Sequence, residues 1–207
     1  MVEFCFNMRG YAFQRGLEDM RRAYDATMNV LHLHEENAQD DLLLTRRLIE
    51  QGDKYPYEVD ESGEHLYLHE ALHEMTIEQN ANARRIALNA YIVMLHHYWE
   101  KAVDDWRLAK RGNNYKAGRE YDWLEAVGLA PDRPALEFLR KASNTIKHNN
   151  PELFNDLPTL FAASKGNAYR PDYAEALRLT EQHFTGLYEA VLASGLQIDS
   201  MVELPRS

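Results

Sequence analysis

A single cysteine, Cys5, in 207 residues leaves no intramolecular disulfide framework and excludes a cysteine-rich zinc site. Glycine and proline are also scarce, ten and seven, which with 45% apolar residues argues against disorder and for a packed core. No run approaches the roughly 18 apolar residues that span a bilayer. Residues 1–6 lack the basic-then-apolar order of a signal peptide, so a cytoplasmic protein with no membrane association is expected. The length suits one well-packed domain and hardly two.

Positive charge is the other shortage. The net charge of −10 opposes non-specific binding to nucleic acid. It is unevenly placed, at −9 over residues 1–100, +3 over 101–148 and −4 over 149–207. The net-positive stretch holds Arg107, Lys110, Arg111, Lys116 and Arg119, followed by Arg140, Lys141 and Lys147. A polyanion would dock there, and a solvated basic loop is the plain alternative.

What the chain has in quantity is helical periodicity. Leu17, Met20, Tyr24, Leu31, Leu42 and Ile49 predict one long helix over 14–50, stopped by Gly52. Residues 55–68 change pattern around the turn-forming Asp60-Glu61-Ser62-Gly63, which predicts a small β-hairpin or an ordered loop. Leu88, Ile92, Leu95, Trp99, Val103 and Trp106 predict a second long helix over about 69–110, their stripe reading as core or dimer seam. A short helix around 117–127, a helix begun by Pro134 and a last helix over 172–194 capped by Gly195 complete an all-α chain.

The segment 139–150, Leu-Arg-Lys-Ala-Ser-Asn-Thr-Ile-Lys-His-Asn-Asn, carries the chemistry. At about 100° per residue, Arg140, Asn144 and His148 fan over roughly 80°, opposite Leu139, Ala142 and Ile146. His148 could move a proton near neutral pH, while Arg140, Asn144 and Lys147 could hold a phosphate as charge develops. The plain alternative is a surface helix ending in cationic residues before Pro151.

Asn144 and His148, within Ala142-Ser143-Asn144-Thr145-Ile146-Lys147-His148, resemble the motif of HEPN domains, all-helical proteins of prokaryotic toxin–antitoxin and antiviral systems. The helix through residues 88–101 resembles the long helix packed beside that motif. The resemblance covers residues 69–195 and implies a HEPN-like helical bundle, with 1–52 as an N-terminal helical extension, 53–68 as an insertion and 196–207 as a tail. It further implies a homodimer that cleaves RNA without metal or cofactor, and an antitoxin or defence-system partner. His148, Asn144, Arg140 and Lys147 would be catalytic, with Lys141, Arg107, Lys110 and Arg111 contacting nucleic acid. Ser143 stands where the family has Arg, so a non-catalytic protein-interaction module is the alternative, unless Arg140 or Lys147 takes over the phosphate.

His69-Glu70-Ala71-Leu72-His73 is a literal H-E-x-x-H, with His65 and Glu74 nearby. A zinc-dependent hydrolase is thus a third reading, although no third ligand follows at a known spacing. His32 and His34 diverge on a helix, and His96 and His97 straddle a face boundary. Glu100 reads as the outer flank of the apolar stripe or as a buried acid facing the motif helix.

Overall fold

The structure, a computed structural model, describes residues 6–52, 57–59, 61–62, 65–108, 120–162 and 171–199. It is all-α apart from one short hairpin. Helix α1 spans Met8–Glu50, strands β1 and β2 span Tyr57–Val59 and His65–Leu68, and α2 spans His69–Leu108. Then come α3 (Glu120–Ala126), α4 (Arg133–His148), α5 (Glu152–Asp156), a 3-10 turn (Pro158–Leu160), α6 (Tyr173–Ala176) and α7 (Glu181–Ala193). No helix among the described residues is long and apolar enough to cross a membrane.

Helix α1 starts six residues before the position its periodicity predicts, because Asn7 Oδ1 accepts from the backbone N–H of Arg9 at 3.1 Å and of Gly10 at 3.0 Å. It stops at Gly52, whose φ of +90° suits a residue without Cβ. β1 and β2 pair antiparallel, Tyr57 opposite Leu68 and Glu58 opposite Tyr67, with an irregularity after Glu58, so the hairpin expectation holds. The short helix expected from 117 is seen from Glu120, its first residues lying outside those described.

Packing divides the chain into two compact units, Met1–Ala23 with Leu88–Ser207, and Tyr24–Ala87. The division falls inside both long helices, whereas the sequence suggests breaks at 52 and 68. In the smaller unit the remainder of α1 and the start of α2 run antiparallel. Arg46 donates from Nε to Glu70 at 2.7 Å and from Nη2 to Glu74 at 2.9 Å near the hairpin, and Arg84 pairs with Glu35 and lies 3.1 Å from His32 Nδ1 further along.

In the larger unit the stripe of α2 is core: Leu88, Ile92, Leu95, Trp99, Val103 and Trp106 are all buried. Leu136 and Leu139 of α4 and Phe184 and Val191 of α7 are buried with them. Each such side chain contributes about 1.5–3 kcal/mol relative to leaving it exposed, so these faces fix the helices that carry the polar residues. Gly195 is not the cap its position suggests. Ser194 is the C-cap, and a Cβ on Gly195 would come within 1.9 Å of the Phe13 ring.

The last predicted helix is broken in two. Leu177 is fully buried in extended geometry, bridging antiparallel to Phe161, while Arg178 N–H donates to Leu160 C=O and Ala162 N–H to Ala176 C=O, both at 2.8 Å. α7 then starts afresh at Thr180, whose Oγ1 accepts from His183 N–H while His183 Nδ1 accepts from Thr180 N–H at 3.1 Å.

Candidate functional site

Helix α4 is held at both ends. Asp132 caps its start, accepting from Ala135 N–H at 3.1 Å, and Pro134 sits in the first turn, where a missing N–H costs nothing. Asn149 ends it at φ +53°, donating to Thr145 C=O at 2.9 Å. The Asn149 side chain accepts from Tyr173 N–H at 2.6 Å and donates to Pro171 C=O at 2.9 Å, so it ties the end of α4 to the start of α6. This residue is structural.

The buried face of α4 is Leu136, Leu139, Ala142, Ser143 and Thr145, with Ile146 only half-buried. Leu139 and Ala142 lie where periodicity puts them. Ser143, four residues after Leu139, and Thr145 are buried as well, and Thr145 Oγ1 donates to Asn150 C=O at 2.9 Å. Ser143 is 0% exposed and its Oγ has no hydrogen bond. Ser143, the position that the resemblance sets against the HEPN motif's Arg, therefore faces the interior of this chain.

The cations of α4 separate into two groups. Arg140 donates from Nε to Glu137 at 3.0 Å and from Nη2 to Glu152 at 2.8 Å. Lys141 pairs with Asp156 and lies 3.6 Å from Glu152. Glu137 also accepts from Tyr121 Oη at 3.1 Å, and burial, followed by the Glu137 charge, pushes that phenol up. These residues staple α4 to α3 and α5, and their positive charge is already matched. Lys147 and His148 are exposed and Asn144 is half-buried, and among the described residues their side chains have no ion pair or hydrogen bond. Arg107, expected on the anion-binding surface, is 18% exposed and lies 3.7 Å from Glu120, while Lys110, Arg111, Lys116 and Arg119 lie outside the described residues.

His96 is the residue that spacing undervalues. It sits four residues after Ile92 and three before Trp99, on the buried stripe, and is buried, while His97 is exposed. Burial first, then the charges of His97, Lys147 and Arg140, push its imidazole down to about 4. So α2 presents a neutral imidazole toward the cationic end of α4. Glu100 is 46% exposed and its Oε2 lies 3.4 Å from His96 Nδ1, so it is the flank of the stripe and not a buried acid.

An unfolded chain takes up the His96 proton near 6.5, and the folded chain only near 4. Stability from this group is therefore complete above about pH 6.5 and is lost as pH falls toward 4, by up to about 3 kcal/mol. Urea unfolding at pH 7.5 and 4.5 should show that loss in wild type and a flatter profile in His96→Gln. Equal pH dependence of the two proteins would contradict the burial argument.

Of the H-E-x-x-H residues, Glu70 is engaged by Arg46, and neither His69 nor His73 joins a group of three metal-capable side chains among the described residues. The His65 side chain lies outside them. Comparison of the chain with protein-family models, with curated proteins and with solved structures returns no match.

Proposed function

We propose that the protein acts on RNA through the C-terminal end of α4, as a metal-independent endoribonuclease of HEPN type in prokaryotic defence or toxin–antitoxin biology. The observation that carries the reading is the separation of charges along α4. Arg140 and Lys141 are neutralised by carboxylates, while Lys147 and His148 stand exposed one turn beyond Asn144. A proton-transfer group, an ammonium and an amide on one helix end form the minimum set for attack of a ribose 2′-OH on its own phosphate. His148 takes the hydroxyl proton, Asn144 orients the phosphate, and Lys147 stabilises the negative charge that develops on it. The 2′ oxygen bonds to phosphorus as the bond to the 5′ oxygen breaks, which leaves a 2′,3′-cyclic phosphate.

One chain offers one such histidine, so a second copy supplies the acid that protonates the 5′ oxygen. Arg140 stays with Glu137 and Glu152 and positions α4. A second reading, a non-catalytic interaction module, is favoured by the same pairing together with Ser143 in the interior, since both take the family's guanidinium away from the surface. Incubating wild type and His148→Ala with single-stranded RNA in EDTA separates the two. Cyclic-phosphate ends that disappear in the variant support cleavage, and intact RNA throughout supports the module.

A further inference from the structure

We infer that His96, His97 and Glu100 of α2 form a binding site for a divalent late first-row transition cation, of which Zn2+ is the type. The three residues occupy successive corners of one helical turn: His96 and Glu100 are four apart, His97 and Glu100 three apart. Glu100 Oε2 lies 3.4 Å from His96 Nδ1 and 3.2 Å from His97 Nδ1, and the three ligand atoms all fall within 4.8 Å of one another. An ion held tetrahedrally by bonds of about 2.0–2.2 Å keeps its ligands about 3.3–3.6 Å apart. Two of the three ligand separations are therefore already close to coordination length, and the third, between the two imidazoles, is within 4.8 Å.

A second observation points to a ligand. The His96 side chain is 5% exposed, and its Nδ1 makes no hydrogen bond although it faces the Glu100 carboxylate. A buried polar atom in a native structure normally has a partner. A plain hydrogen bond from His97 to Glu100 accounts for His97 and leaves His96 Nδ1 unexplained; a cation between them uses all three groups. Burial keeps His96 neutral, the form in which imidazole coordinates. His97 and Glu100 are about half exposed, which gives the ion a path in and leaves a fourth position to water.

Two imidazoles and one carboxylate suit Zn2+, Ni2+, Cu2+ or Co2+ and not Mg2+ or Ca2+, which prefer oxygen alone. The charges of Lys147 and Arg140 that reach His96 oppose the bound cation and temper its affinity. The site is distinct from His148 and stands or falls separately from the RNA reading.

The test is calorimetric titration of ZnCl2 into the full chain, stripped of metal by dialysis against chelator, at pH 7.5. The expected result is one bound equivalent, weakened at least about tenfold by His97→Gln and by Glu100→Gln, and kept in the His69→Gln, His73→Gln double variant. Circular dichroism should show both weakened variants folded, since the side chains replaced are about half exposed. No binding by wild type, unchanged affinity in both single variants, or loss in the His69, His73 variant would each overturn the proposal.

Discussion

His148→Ala is expected to slow RNA cleavage by about two to four orders of magnitude, the usual contribution of a positioned general acid or base. The side chain is exposed and makes no contact among the described residues that the fold needs, so the melting temperature should stay within about 1–2 °C of wild type. That combination separates a chemical role from a structural one. Arg140→Ala should show the opposite balance. Its guanidinium bridges Glu137 and Glu152, so its removal leaves Glu137 with Tyr121 Oη alone and Glu152 with the more distant Lys141, and costs stability with a smaller effect on rate. Equal loss of rate in the two variants would mean that Arg140 leaves its carboxylates for the phosphate.

Ser143→Arg, which places an Arg where the motif that the chain resembles has one, is expected to cost about 3–5 kcal/mol rather than to gain activity. Ser143 is fully buried among the core residues of α4, and no carboxylate pairs with it in that interior. An arginine there is an uncompensated buried charge as well as an overpacked one. Against a total stability of about 5–15 kcal/mol, the variant loses a large share of its folding free energy. Ser143→Ala should be neutral or slightly stabilising, because the hydroxyl it deletes has no partner to lose. Urea unfolding of the two variants checks both statements. A stable Ser143→Arg protein with raised cleavage would mean that α4 is rotated from the orientation described above.

Much of this was legible in the sequence because it rests on long, regular burial. The α2 stripe from Leu88 to Trp106 and the apolar side of α4 at Leu139 and Ala142 repeat at helical spacing, and that repetition is what the core demands. The hairpin was legible from turn residues between two short β-favouring runs. The break between α6 and α7 was not, because Leu177 and Phe184 stand seven apart and mimic two helical turns. What breaks the helix is pairing of 177–178 with 160–161, a non-local contact that no window of sequence contains. The Thr180-x-x-His183 cap was the one local sign of a restart.

The candidate site divides in the same way. The outward placement of Lys147 and His148 follows from the helix, as does the inward placement of Ser143, four residues after Leu139, while the buried Thr145 hydroxyl is satisfied by Asn150 C=O, beyond the helix end. The neutralisation of Arg140 depends half on Glu137, three residues away and visible in the sequence, and half on Glu152, which only the turn after α4 brings near. The sequence left His96 at a face boundary, and its burial, with the charges of α4 that reach it, belongs to tertiary structure.

The most direct test of the central claim, that the exposed end of α4 engages RNA, is the affinity of a 2′-O-methyl RNA, which lacks the attacking hydroxyl, for wild type and Lys147→Glu by fluorescence anisotropy. Charge reversal at one phosphate contact should weaken binding by about tenfold or more at low salt and make the salt dependence shallower. Equal affinity and equal salt dependence of the two proteins would place RNA elsewhere on the molecule and contradict the account.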